Sequence, residues 1–229
     1  MNRKLLIFFG LLALFTQACK LDPPIFGPPP KEDWSASFQP LGTGSYWQYV
    51  KQVEGSLTDT AVLLVTGEQP VINGLTYHTV YSESKRNRGD DYFYADNHVI
   101  IVREFFAKYN DNVEIQYLVD TLTAGQSWTA KITDSGLLEG VPARLVGKVL
   151  EDSITKVVSG ITFPRVRHTQ MQLQQDKGSG FQTFATYDYY IQMGVGVIEN
   201  IGVQADGTDL GHIRILSYDI KSNEIKTTN

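Results

Sequence analysis

The stretch "TFPRVRHTQMQLQQ", residues 162–175, carries the fold in miniature. Its side chains alternate over fourteen positions with no helical repeat and no break after Pro164. Period-two alternation is the signature of an extended strand, and here it sets Arg165, Arg167, Thr169, Met171 and Leu173 on one face. The opposite face takes Gln170, Gln172 and Gln174. Working outward, "ARLVGKVLED" (143–152) and "ITKVVSG" (154–160) precede it, and "FQTFATYDYYI" (181–191), "GVGVIENIGV" (194–203) and "HIRILSYDI" (212–220) follow. Nearer the N-terminus come "TAVLLVTGE" (60–68), "LTYHTVYSES" (75–84), "DYFYADNHVIIVREFF" (91–106) and "VEIQYLVDT" (113–121). All are short, rich in Val, Ile, Thr and Tyr, and separated by Asn-Gly, Asp-Asn and Asp-Gly turn chemistry. The best helical window, "VREFFAKY" (102–109), is short and uncapped. The expectation is an all-β antiparallel domain of about ten strands, either a sandwich or an incomplete (half) barrel.

Some strands echo one another. "VINGLTYHTV" (71–80) aligns with "VVSGITFPRV" (157–166), and "FYADNHVIIVRE" (93–104) with "YYIQMGVGVIEN" (189–200). Gly44-Ser45-Tyr46-Trp47 and Gly125-Gln126-Ser127-Trp128 stand ahead of them in the same order. This order reads as two copies of a four-strand unit, at about 44–105 and 125–203.

The chain opens with Arg3 and Lys4 and the apolar run "LLIFFGLLALF" (5–15), then Ala18 and Cys19, the single cysteine. A basic start, an apolar core and a small residue before the cut describe a secretory signal peptide at 1–18. The run is too short for a membrane span, which needs roughly 20 apolar residues. "TQACKLD" resembles a relaxed lipoprotein signal of the Bacteroidota type, which implies lipidation of Cys19, anchoring in the outer membrane, and leaves the side it faces open. Two or three acyl chains, at about 0.8 kcal/mol per buried methylene, hold such a protein firmly. Residues 19–37, with five prolines, read as an extended tether, 38–221 as one β-domain and 222–229 as a polar tail.

Without residues 1–18 the chain has 18 Lys and Arg against 25 Asp and Glu, a net charge of −7. That balance argues against nucleic acid as a partner. His78, His98, His168 and His212 show no paired spacing, and no second cysteine joins them, so no metal site and no cofactor is expected. Asp90-Asp91 and Asp206–Asp209 read as turns because they lack the ligand alternation of a calcium loop. "KRNRGDD" (85–91), which includes Arg88-Gly89-Asp90, reads as a solvated hairpin tip. No catalytic serine motif or carboxylate pair is evident. Arg165 and Arg167, sharing a face with Met171 and Leu173, are the candidates for lining a mixed cavity that accepts an anionic amphiphile.

Gly44, Trp47 and Tyr49 form G-x-x-W-x-Y, and Tyr189-Tyr190 with Gly194-Val195-Gly196 and Ile198 form a late Y-Y…G-V-G-x-I pair. These resemble motifs of a family of uncharacterised bacterial secreted proteins and lipoproteins. The resemblance implies a curved antiparallel sheet akin to the half-barrels that move lipids or lipoproteins across the periplasm, and implies no catalytic residue. The expected function is a non-catalytic, lipid-anchored binding or assembly module of the envelope, with an envelope protein or amphiphilic ligand as partner. A carrier of a hydrophobic or amphiphilic ligand is the alternative, and a glycan-active enzyme the third.

Overall fold

The structure, a computed structural model, describes residues 37–52, 58–85 and 87–221. The signal peptide, Cys19, most of the tether and the polar tail lie outside the described residues. Eight strands make up the first half: β1 (Tyr46–Gln52), β2 (Asp59–Val65), β3 (Val71–Ile72), β4 (Leu75–Thr76), β5 (His78–Glu83), β6 (Arg88–Asp96), β7 (Val99–Phe106) and β8 (Asp111–Val119). The second half adds β9 (Ser127–Ala130), β10 (Leu137–Leu138), β11 (Val141–Val158), β12 (Ile161–Asp176), β13 (Phe181–Gln192), β14 (Gly196–Gln204) and β15 (Asp209–Asp219).

Each half is a meander, because short turns leave each strand little choice but to pair with the next. Asn97 and His98, at φ 49° and 65°, make the primed turn that a two-residue hairpin between β6 and β7 requires. The sheet order is β10-β11-β12-β13-β14-β15-β1-β2-β5-β6-β7-β8, with β9 paired to β11 and the small β3–β4 hairpin apart. Antiparallel pairing of β1 with β15 splices the two meanders. β8 then returns against β11 and β12, so the sheet nearly closes on itself as a barrel.

Side chains make much of the closing seam. The Trp128 indole donates to the Gln116 carbonyl (3.2 Å), the Thr169 hydroxyl to the Tyr117 carbonyl (2.8 Å), and Arg167 Nη1 to the Asp120 carbonyl (2.8 Å). One backbone bond, from Glu114 N–H to the Ile132 carbonyl (2.9 Å), joins them. These contacts satisfy edge groups that would otherwise be open to pairing. Gly147 is required here: a Cβ at this position would fall inside the Trp128 ring.

The two Gly-x-x-Trp corners are built alike. Gly44 N–H donates to Val65 O and Val65 N–H to Ser45 O; Gly125 N–H donates to Val149 O and Val149 N–H to Gln126 O. Trp47 is buried and donates to Val195 O at 2.6 Å. Around it one end of the barrel is filled by Leu41, Ile198 and Gln39, whose Oε1 accepts the Tyr117 hydroxyl at 2.8 Å.

Three expectations need correction. The sheet is not clearly a sandwich, and the strand count exceeds ten. "ARLVGKVLED" and "ITKVVSG" form the single 18-residue β11. The turn chemistry at Glu151–Ser153 makes a bulge there, with Ser153 at φ 58° and the register shifting on both sides, so the strand bends without reversing. "VREFFAKY", the best helical window, is as expected no helix: it is the end of β7 and a turn, since Val102, Glu104 and Phe106 follow the sheet's alternation.

Candidate functional site

The end of the barrel opposite Trp47 is where the interior becomes polar. On β6 and β7 the inward positions run Asp91, Phe93, Ala95 and Ile100, Val102, Glu104, Phe106, alternating with outward Tyr92, Tyr94 and Arg103. The register pairs Tyr92 with Arg103, so Asp91 and Glu104 stand opposite each other on the inner face. Two carboxyls facing one another inside a barrel resist double ionisation. Burial, and then the Glu104 charge, push Asp91 up to about 8, against the Ser82 hydrogen bond and Lys51, which pull it down. Burial raises Glu104 as well, and Lys51 counters it. At neutral pH Asp91 therefore keeps its proton, with Lys51 nearby.

Tyrosines face the same interior from β13. Burial first, and then Tyr109 and Glu104, push the Tyr187 hydroxyl up to about 12. Tyr189 lies deeper, stacked on Tyr117 with ring centroids 5.2 Å apart, and burial raises both well above the ordinary phenol value. Gly202 on β14 keeps room for Tyr187, because a Cβ there would come within 2.6 Å of its ring.

Tyr187 also lines a cavity of about 120 Å³ at the barrel mouth. The walls are Phe106, Tyr109, Val113, Leu138, Leu173, Phe184 and Leu210, from strands of both halves. Gln204 and Lys108 also line it, and the exposed Lys108 ammonium lies 5.1 Å from the Tyr109 ring centroid. Apolar walls around a few polar groups of perturbed acidity are the usual make-up of a small-molecule site.

The arginines named from sequence are not in this site. Arg167 keeps the expected alternation and points inward with Thr169 and Met171, but at the seam. Its guanidinium holds Asp152 at 3.2 and 2.8 Å and the Asp120 carbonyl, and covers the Phe38 ring at 4.9 Å. Arg165 falls in an irregular register at φ 55°, out of phase with Arg167, so the two do not share the expected face.

The histidines are dispersed and each has a partner. His98 meets Asp120 at 2.8 Å and His78 meets Gln69 at 3.4 Å. On the outer face His168 lies between Glu151 (3.0 Å) and Asp188 (2.8 Å), stacked on Tyr190. Burial works to lower its pKa, yet the two carboxylates raise it on balance. His212 and Lys156 both bind Glu199, at 2.7 Å each, and these bonds hold Glu199 low against its burial. Among the described residues, no three His, Cys, Asp or Glu are grouped as a metal ion would need.

The acidic segments divide. Asp206 and Asp209 accept backbone N–H bonds from Thr208 and Gly211, as turn residues do. Asp90 and Asp91 instead belong to β6, as do Arg88 and Gly89, while the turn before them closes at Ser84 and Asn87. Asp91 and Glu104 were missed for a definable reason. Each is an acid in phase with the apolar set of its own strand, a visible signal, but their opposition depends on hairpin register.

No described protein family matches the chain, and no curated protein matches it. Two solved structures are similar in shape. One is a presumed exported protein with a YMCC-like fold from Bacteroides fragilis, at 8% identity and TM-score 0.49, covering 80% of this chain and 99% of its own. The other is a presumed lipoprotein from Parabacteroides distasonis, at 11% identity and TM-score 0.46, with the same coverages.

Proposed function

We propose that the chain is a non-catalytic, outer-membrane-anchored lipoprotein that serves as a binding module of the bacterial envelope, with the barrel mouth as its recognition site. The observation that supports this most is the mouth cavity, an aromatic and aliphatic recess in a barrel whose other end is packed. Its volume of about 120 Å³ is below the several hundred Å³ of a pocket that encloses a drug-sized ligand. The reading therefore favours a small ligand, or one group of a larger one, held at the mouth over a whole lipid carried inside. Cys19 supplies the anchor and residues 20–37 the tether. The two matched Gly-Trp corners support an origin by duplication.

A second reading, a glycan-active enzyme, draws on the Asp91–Glu104 pair, since two carboxyls flanking one site are what glycoside hydrolysis uses. The two readings separate by experiment. Protein expressed with its signal should take up labelled palmitate and fractionate with membranes, and Cys19→Ser should do neither. Native mass spectrometry of the detergent-solubilised protein should show a small non-covalent adduct that Leu138→Trp removes. An adduct-free protein that cleaves envelope oligosaccharides, and loses that activity in Glu104→Gln, would support the enzyme instead.

A further inference from the structure

The mouth cavity sets the size of a ligand, and the groups around the same interior set its charge. Apolar cavities of roughly 150 Å³ hold a benzene molecule, so about 120 Å³ suits a phenyl ring or a short alkyl chain. The walls are unusually rich in rings: Phe106, Tyr109, Phe184 and Tyr187 all border the space. Ring faces attract cations, and clusters of them are how organic ammonium groups are recognised.

The charges facing the lumen favour the same sign. Asp91 comes from β6 and Glu104 from β7, while β1 supplies Lys51 and β5 the Ser82 hydroxyl. From β2, Asp59 is already engaged by the Thr60 and Lys85 backbone N–H groups. From β13 come the hydroxyls of Tyr187 and Tyr189. Arg103 points outward and is held by Glu114 and Asp134. Lys51 thus stands against the two lumen carboxyls, with Asp90 next to them on the acidic side. The second ammonium, Lys108, is exposed at the cavity wall, 5.1 Å from the Tyr109 ring centroid, and an entering anion would meet both carboxyls.

We infer that the mouth takes a small amphiphilic amine, its apolar body in the cavity and its ammonium directed toward Asp91 and Glu104. The inference rests on the mouth being the binding site proposed above, and it adds the chemical class of the ligand. A bound ammonium favours the ionised carboxyl and so displaces the proton that burial keeps on Asp91, so binding releases a proton. Affinity then rises with pH while the free pair is protonated, by up to tenfold per pH unit.

Calorimetric titration of the detergent-solubilised protein with three probes that share a phenyl ring tests this: phenethylamine, phenethyl alcohol and phenylpropionate. The amine should bind at least tenfold more tightly than the other two at about pH 8, with most of that preference lost at about pH 6. In Glu104→Gln, and independently in Asp91→Asn, amine affinity should fall to that of the alcohol while the alcohol's is unchanged. An unchanged alcohol affinity also shows that the variant is folded. If alcohol or phenylpropionate binds as well as the amine, or if both variants keep the preference, the amine inference is wrong while the mouth remains a binding site. If none of the three binds at low millimolar concentration, the mouth reading falls with it.

Discussion

Replacing Asp91 by Asn should reverse part of the protein's pH dependence. Asp91 rises from 3.8 to about 8 on folding, because burial and Glu104 disfavour its charge. The folded chain therefore keeps a proton that the unfolded chain releases, over the interval between those two values. Stability from this group is complete at low pH and is lost as pH climbs toward the folded value. The limiting slope is about 1.4 kcal/mol per pH unit. Lys51 and solvent in the lumen soften it, so about 2–4 kcal/mol over three units is expected. Asn mimics the protonated acid and does not titrate. Wild type and Asp91→Asn should be close in stability near pH 5, and the variant clearly more stable near pH 8. Urea midpoints measured for both proteins at about pH 5, 6.5 and 8 give the comparison, with His168 and the remaining groups common to the two. Parallel lines would refute the buried carboxyl pair.

Other predictions concern the packing that shapes the site. Arg167→Ala strands Asp152 and the Asp120 carbonyl at the seam, and should cost about 3–5 kcal/mol in chemical denaturation; Lys at this position restores only part, because it cannot make the two-pronged contact. Gly147→Ala drives a methyl into the Trp128 ring and should cost at least about 1–3 kcal/mol; the double variant Gly147→Ala/Trp128→Ala should lose less than the two single losses summed, and strict additivity would contradict the contact. Trp47→Phe leaves the Val195 carbonyl without its buried donor, for a loss of about 1–3 kcal/mol in thermal or urea unfolding.

Alternation made most of the strands legible, because a half-buried sheet imposes period two on nearly every segment. It failed where the backbone departs from simple pleating. Ser153 looks like a turn residue and lies in a bulge, so one long strand read as two. Arg165 fell out of phase for the same kind of reason, and the face it was to share with Arg167 does not exist. Arg167 itself kept its phase, but the seam partners that occupy it, Asp120 and Asp152, lie 47 and 15 residues away. The candidate site was less legible still. Asp91 looked like half of an acidic turn, and Glu104 like a charge in the best helical window. Only the register of β6 against β7, set by the Asn97-His98 turn, brings the two acids face to face.

The most direct test of the mouth as the binding site is methyl NMR of leucine-labelled protein titrated with phenethylamine. Shifts confined to Leu138, Leu173 and Leu210, which line the cavity, are the predicted result. No shift at these three methyls, or shifts centred on Leu64 of the outer face, would contradict it.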